Sequence, residues 1–251
     1  MVLEFCKDGN LRNYYLNNTG SYGRKIKNLM DIIRGLLNIH NAGKVHKDFH
    51  SGNILYGGYM CISDLGMCQP ANNEQSEGIC GVLPYMAPEV LRGFQYTKAS
   101  DIYSFGIIMN EYLNEEPPFN NIPHDHVLAV DICKGLRPKI SEDTPRLLAD
   151  LIVKCWDAKA ENRPTAKELY QILDNLYIEY KDENSEIYTQ IKECEEIKRS
   201  KLKDKTSVVD KSKNIQTHPQ AVYTSRLFNF KNLPEPVNSS DLSSFQFKSG
   251  N

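Results

Sequence analysis

The chain has 251 residues, of which 40% are hydrophobic and 25% are charged, and its formal net charge is −2. This composition is ordinary for a globular protein that is long enough to bury one sizeable core. The near-neutral charge gives no electrostatic reason to expect binding to nucleic acid. No apolar run approaches the ~20 residues that a membrane helix requires, so membrane insertion is not expected. The seven cysteines form no C-x-x-C pair, which favours reduced thiols and a cytoplasmic location.

The first part of the chain is predicted to contain a strand, a long helix and a hairpin. Met1–Cys6 is a short apolar run that predicts a strand. Apolar residues recur at helical spacing over Ile26–His40, and Gly43 is suited to end that helix. The stretch Asn53–Ser63 is interrupted by Gly57-Gly58, a pattern that predicts a β-hairpin.

The rest of the chain is predicted to be helical, with a polar end. Residues 66–84 are polar and irregular and are expected to form a long loop. Lys181–Lys205 is dense in charge and predicts an exposed helical extension at 181–206. Residues 207–251 are rich in Ser, Asn, Lys and Pro, which predicts a disordered tail. Its one apolar island, Tyr223–Phe230, is interpreted as a stray hydrophobic cluster, with a docking segment as the alternative. Four amphipathic or apolar helices are predicted before this tail: Asp101–Asn114, Leu128–Lys134, Pro145–Trp156 and Thr165–Tyr180.

The stretch from His46 to Asn53 reads H-K-D-F-H-S-G-N and resembles the catalytic loop of protein kinases, H-R-D-x-x-x-x-N. Phosphoryl transfer needs a carboxylate that orients the attacking hydroxyl and an amide oxygen that holds a metal ion. The resemblance assigns these roles to Asp48, as the catalytic residue, and to Asn53, as a metal ligand. His46 would support the loop.

Four further motifs follow in the order that protein kinases have. Ser63-Asp64-Leu65-Gly66 resembles D-F-G, which makes Asp64 a second metal ligand and gives Leu65 the packing role of the usual Phe. The sequence A-P-E ends at Glu89, D-I-Y-S-F-G begins at Asp101, and N-R-P contains Arg163. By resemblance Asp101 anchors the catalytic loop, and Glu89 pairs with Arg163 as structural support.

The ordered motifs identify residues 1–180 as similar to the hinge and C-terminal lobe of a protein kinase catalytic domain. The expected fold is mainly α, with a short β-hairpin and a hinge strand, and with the N-terminal lobe absent. The resemblance is strongest to the tyrosine-kinase-like group. It implies ATP and Mg²⁺ as cosubstrate and cofactor, protein substrates as partners, and a role in signalling.

The nucleotide contacts are carried over from the family in the same way. Leu3 would be the gatekeeper, the backbones of Glu4 and Cys6 would meet adenine, and Asn10 is also assigned to the nucleotide. Leu55 would form the floor under the base. The chain begins at the hinge, without the glycine-rich loop or its lysine, so we expect an exposed apolar hinge face that favours a binding partner.

Several positions depart from the family pattern. Lys47 replaces the Arg before the catalytic Asp, which gives less geometric control over a loop phosphate. Ser76 is the one obvious phosphosite, and weak or absent dependence on loop phosphorylation is predicted. His50 and Val82 stand where residues typical of Ser/Thr specificity are expected, so the choice between Ser/Thr and Tyr stays open. His124 and His126 resemble a metal pair but are interpreted as surface histidines.

Two functions therefore remain open from the sequence. The first is a protein kinase domain that transfers the γ-phosphate of ATP to Ser/Thr, or to Tyr, of a protein. The intact Asp48, Asn53 and Asp64 favour this function. The alternative is a catalytically impaired lobe that serves as a binding or scaffold module, which the missing glycine loop favours.

Overall fold

The computed structural model describes residues 6–18, 20–70, 79–204 and 217–238. These residues form a mainly helical body with three small antiparallel sheets, each of two strands. The helices are α1 (Leu11–Asn17), α2 (Tyr22–Asn41), α3 (Pro88–Leu91), α4 (Lys98–Asn114), α5 (His126–Cys133), α6 (Arg146–Cys155), α7 (Ala166–Glu179) and α8 (Glu186–Asp204). The strands are β1 (Lys44–Val45), β2 (Ile54–Tyr56), β3 (Met60–Ile62), β4 (Gln69–Pro70), β5 (Ile79–Gly81) and β6 (Arg226–Phe228).

The long helix α2 begins earlier than the apolar pattern predicts. Ser21 caps its N-terminus by accepting a hydrogen bond from the backbone N–H of Arg24. Ser is a favoured N-cap because its short side chain satisfies an otherwise unpaired N–H of the first turn. At the other end Gly43 has φ +72°, a left-handed conformation that glycine adopts without steric cost. The predicted stop at Gly43 is thus confirmed.

The core lies where α2 packs against α7 and α4 packs against α6. Helix α4 is buried along nearly all of its length, as its apolar sequence predicts. Helix α7 begins with the predicted capping box, in which Thr165 and Glu168 exchange side chain to backbone hydrogen bonds. The predicted helices beyond the hairpin are all present in the described residues, with ends shifted by at most five positions.

The predicted hairpin is formed by β2 and β3, which pair with Ile54 opposite Ile62 and Tyr56 opposite Met60. Gly58, in its connection, has φ +89°. The two ends of this hairpin matter for function, because Asn53 immediately precedes β2 and the Ser63-Asp64 pair follows β3. A tight hairpin brings those ends together.

The structure differs from the sequence predictions in several places. Helices α1 and α3 were not predicted, because both are too short to show a helical period. Leu65 is 55% exposed, so the apolar packing role expected for it is wrong in this structure. Residues 217–238 lie in the predicted disordered tail, yet they are packed on the helical body and form β6. The predicted strand at Met1–Cys6 lies outside the described residues, apart from Cys6.

Candidate active site

The backbone of the predicted catalytic loop is held by a buried carboxylate on α4. Asp101 is 2% exposed. Its Oδ2 accepts the backbone N–H of His46 at 2.8 Å, and its Oδ1 accepts that of Lys47 at 3.1 Å. His40, at the end of α2, contacts Oδ2 from Nε2 at 2.9 Å. Asp101 therefore joins two helices to the loop residues immediately before Asp48.

Lys47 adopts a left-handed backbone conformation, with φ 72°. Such a conformation is costly for a residue with a side chain and persists only where neighbours enforce it. The Asp101 hydrogen bond supplies one constraint, and the Lys47 side chain supplies another by donating from Nζ to Oε1 of Gln69. The loop thus turns sharply just before Asp48 and presents that residue at a fixed position.

Asp48 is 6% exposed, and its two oxygens differ. Oδ2 accepts a hydrogen bond from the Ser225 hydroxyl and lies 3.6 Å from Nε2 of His50. Oδ1 is buried and has no hydrogen-bond partner among the described residues. Burial raises the pKa of Asp48, but His50, the Ser225 hydroxyl and His46 favour the charged form and leave the pKa below its ordinary value. A charged carboxylate that faces a hydroxyl is suited to accept its proton.

Asn53 and Asp64 lie at the same end of the β2–β3 hairpin. The backbone oxygen of Asn53 accepts the N–H of Ser63 at 2.8 Å and its Oγ at 3.0 Å. His46 closes the arrangement by contacting the backbone oxygen of Ser63 from Nε2 at 3.1 Å. Asp64 follows directly, with an exposed side chain and φ 54°.

The donor set at this end of the hairpin suits a hard dication. The side-chain N–H of Asn53 donates to the backbone oxygen of Asp48 at 2.9 Å, so its amide oxygen is turned away from Asp48. An amide oxygen together with the exposed carboxylate of Asp64 offers the oxygen ligands that Mg²⁺ prefers, and Mg²⁺ commonly takes only one or two protein ligands beside phosphate oxygens. Among the described residues, no group of three or more His, Cys, Asp or Glu side chains is placed to hold a metal ion.

A buried Glu under the catalytic loop was missed by sequence reasoning. Glu111 on α4 is 1% exposed. It accepts hydrogen bonds from the hydroxyls of Tyr85 at 2.6 Å, Ser51 at 2.9 Å and Tyr15 at 3.1 Å, and from Arg12 at 3.3 Å. Since Ser51 belongs to the catalytic loop, Glu111 ties that loop to α1 and to the chain after β5. The one signal in the sequence is a second acidic residue, after Asp101, on a mostly apolar helix.

Glu89 and Arg163 form the bidentate pair that the resemblance implies. The two guanidinium N–H groups donate to the two carboxylate oxygens at 2.7 and 2.8 Å. The Arg163 side chain is fully buried, whereas that of Glu89 is 18% exposed. Arg163 also donates to the backbone oxygens of Asp157 and Ala99, at 2.8 and 3.0 Å. This pair fastens the start of α3 to the turn before α7.

The residues assigned to the nucleotide are only partly described. Leu3 and Glu4 lie outside the described residues. Cys6, Asn10 and Leu55 are all half-buried, and Asn10 forms a β-bridge with Leu55. The Sγ of Cys6 lies 3.3 Å from the position that a Cβ on Gly57 would occupy, so a side chain there would crowd it.

Among the positions that depart from the family pattern, Ser76 lies outside the described residues. Val82 is buried. His50 accepts the N–H of Gly52 on Nδ1 at 3.1 Å, which leaves Nε2 as the nitrogen that faces Asp48. A neutral His50 in this arrangement carries its proton on Nε2 and directs it towards the carboxylate.

Comparison with known proteins shows the family of this chain. The family model described as "Protein kinase domain" matches residues 1–173. The protein R831 of Acanthamoeba polyphaga mimivirus, whose name describes a serine/threonine-protein kinase/receptor, is 35% identical over 69% of this chain and 11% of its own length.

Two further relatives come from other organisms. Gdt4 of Dictyostelium discoideum, whose name describes a probable serine/threonine-protein kinase, is 30% identical over 72% of this chain and 12% of its own length. The serine/threonine/tyrosine-protein kinase HT1 of Arabidopsis thaliana is 30% identical over 69% of this chain and 46% of its own length. The chain thus spans between about a tenth and a half of these relatives. It belongs to the protein kinase family.

Proposed function

We propose that this chain transfers the γ-phosphate of ATP to a Ser or Thr hydroxyl of a protein, with Asp48 as the general base. The observation that carries the proposal is the contact at Asp48: a serine hydroxyl donates to the buried, charged carboxylate. This contact supports an aliphatic hydroxyl as acceptor and favours Ser/Thr over Tyr. The names of R831 and Gdt4 describe serine/threonine-protein kinases, whereas that of HT1 also includes tyrosine.

The roles of the other residues follow from their contacts. Asp101 and Glu111 are positioning residues that fix the loop from two sides, through its backbone and through Ser51. His50 directs Nε2 to the oxygen of Asp48 that accepts the hydroxyl. Asn53 and Asp64 would hold Mg²⁺, which supplies charge neutralisation on the phosphates when bound. Cys6, Asn10 and Leu55 form the surface against which the nucleotide would lie.

Finer assignments also belong to this proposal. The tyrosine-kinase-like group and a role in signal transduction agree with the resemblance. A cytoplasmic location agrees with the seven cysteines, which are all free thiols. None of the described helices combines the length and the apolar character that crossing a bilayer would need.

The test is phosphoryl transfer from Mg-ATP to a generic protein substrate. We expect Asp48→Asn to lower the rate by about 10² to 10⁴-fold, the usual contribution of a positioned general base. Asp150→Asn is the matched control, because Asp150 is a surface carboxylate with a 61% exposed side chain. Equal rates for the wild type and Asp48→Asn would contradict the proposal. Absence of both nucleotide binding and transfer would favour the alternative, a non-catalytic binding module.

A further inference from the structure

Residues 217–238, here called the docked segment, lie across the candidate active site. Their strand β6 pairs antiparallel with β5, with Phe228 opposite Ile79 and Arg226 opposite Gly81. Strand β5 directly precedes Val82 and is followed closely by Tyr85, which contacts Ser51 of the catalytic loop at 3.1 Å. Addition of an extended segment to an exposed strand is a common mode of peptide recognition, in which backbone hydrogen bonds hold the peptide and alternate side chains enter pockets.

The pairing places Ser225 at Asp48. Ser225 is the residue immediately before β6, and its Oγ donates to Oδ2 of Asp48. The residue as a whole remains exposed, so docking does not bury it. A hydroxyl held against a catalytic carboxylate occupies the place of an attacking nucleophile.

The chain before Ser225 is fixed by side-chain contacts. The hydroxyl of Tyr223 donates to the backbone oxygen of Pro118 at 2.9 Å. The ring of Tyr223 lies under the guanidinium of Arg12 at 4.1 Å and meets the ring of His124 edge-on at 4.9 Å. Arg12 also donates a hydrogen bond to Glu111. Tyr223 is therefore linked to the network that holds the catalytic loop.

His124 holds the backbone of the segment on the same side. The backbone N–H of His124 donates to the backbone oxygen of Gln220 at 3.0 Å, and its ring Nδ1 lies 2.9 Å from the backbone oxygen of Val222. His124 is 2% exposed, so the expectation of a surface histidine is wrong for this residue. Its role is to bind the docked segment.

The chain after Ser225 is fixed by an aromatic anchor. Phe228 is 8% exposed and its ring stacks on that of Phe230, with 5.1 Å between the ring centroids. Leu227, which lies between Ser225 and Phe228 in the chain, is 68% exposed. Further along, Arg92 forms an ion pair with Glu235, and Val237 donates its N–H to the backbone oxygen of Cys133 at 3.0 Å. The register of Ser225 is therefore set from both directions.

We propose that the docked segment is a substrate of this chain's own active site and that Ser225 is its phosphoacceptor. The inference rests on the proposed function. In the transfer, a bond forms between Oγ of Ser225 and the γ-phosphorus of ATP, and the bond from that phosphorus to the β,γ-bridging oxygen breaks. ADP leaves, and the hydroxyl proton passes to Asp48.

The product should leave the site. A phosphoserine carries a charge of about −1.5 to −2, and at Ser225 it would face the carboxylate of Asp48. The negative charges of the phosphate and of Asp48 would repel each other. The docked segment offers no cation at that carboxylate, since Arg226 donates to the backbone oxygen of His124. Phosphorylation therefore releases the segment and opens the site to other substrates.

The first test maps phosphorylation in the full chain incubated with Mg-ATP, by mass spectrometry, over about a 100-fold range of chain concentration. We expect phosphate on Ser225 with a rate constant that does not depend on concentration, as transfer within one molecule requires. Thr224→Ala, at the exposed neighbouring hydroxyl, should leave this rate unchanged, and Asp48→Asn should lower it by about 10² to 10⁴-fold. A rate proportional to chain concentration would overturn transfer within one chain.

Failure of the inference and failure of the proposed function are distinguishable in the same experiment, because a generic protein substrate is included. Phosphate on that substrate but not on Ser225 would overturn the inference and leave the proposed function standing. Transfer to neither, with wild type equal to Asp48→Asn, would overturn the proposed function and the inference with it.

A second readout does not depend on catalysis. Hydrogen exchange of the β5 and β6 amides reports whether the segment is docked. We expect Ser225→Ala to keep the protection of Ile79–Gly81 and Arg226–Phe228, and Ser225→Asp to reduce it at least about tenfold through repulsion from Asp48. Equal protection in the two variants would overturn release by charge.

Discussion

Breaking the Glu89–Arg163 pair tests whether the resemblance has identified a structural clamp. Glu89→Gln keeps the size of the side chain and removes its charge. The buried guanidinium of Arg163 then loses its counter-ion while remaining out of water, with a side chain that is fully buried. Removal of one partner from a buried ion pair costs about 3–5 kcal/mol.

Two features of the structure reduce that figure. Arg163 keeps its hydrogen bonds to the backbone oxygens of Asp157 and Ala99, and the Glu89 side chain is 18% exposed, so water reaches part of the site. We therefore expect Glu89→Gln to lower the free energy of unfolding by about 2–4 kcal/mol. The measurement is urea denaturation followed by circular dichroism, with the wild type and the variant at the same pH and salt.

The matched control is Asp150→Asn, which breaks the surface pair between Arg146 and Asp150. Its atoms are 4.0 Å apart, and its side chains are 86% and 61% exposed. Exposed pairs of this kind contribute about 0.5 kcal/mol or less. Equal losses of stability in Glu89→Gln and Asp150→Asn would refute the reasoning that burial makes the first pair important.

Three further predictions follow from other contacts. Phe228→Ala removes the buried aromatic anchor of the docked segment, and we expect at least about tenfold faster proteolysis within residues 217–238. Leu227→Ala, at a 68% exposed side chain, should leave the proteolysis rate unchanged. Equal rates in the two variants would show that Phe228 does not hold the segment. Glu111→Gln should destabilise the fold by about 2–4 kcal/mol and speed hydrogen exchange of the Ser51 amide in the catalytic loop. An exchange rate equal to that of the wild type would mean that Glu111 does not position the loop. Burial raises the pKa of the Cys133 thiol to about 11. The stability that this thiol contributes is therefore fully present below the unfolded thiol pKa of about 8.5 and is lost as pH rises towards the folded value. Urea denaturation should show that the free energy of unfolding falls less between pH 8 and pH 10 in Cys133→Ala than in the wild type.

Local patterns in the sequence predict the local parts of this site well. Asn53 and Asp64 are brought to one end of a hairpin by the Gly57-Gly58 turn, which is legible from a few residues. The contact of Asp101 with the catalytic loop joins residues 55 positions apart, and periodicity alone could not have found it. It was expected because the motifs occur in the order that protein kinases have.

What the sequence did not reveal depends on partners that are remote along the chain. In the sequence, Glu111 is one acidic residue on a mostly apolar helix, and only the structure shows its four donors from three other segments. Residues 217–238 have the polar composition of a disordered tail, because much of what holds them is backbone hydrogen bonding and a few aromatic contacts. Composition does not reveal that β5 offers a free edge, nor that a buried His124 faces their carbonyl groups.

The docked segment also bears on how strongly any external peptide must bind. Two sites on one chain meet at an effective concentration that is on the order of millimolar when the connection is short. Only twelve residues separate the last residue of α8 from the start of the docked segment. A peptide with the same intrinsic affinity would therefore need a millimolar concentration to take half of the sites, so at ordinary cellular concentrations an outside substrate competes well only once the segment has left.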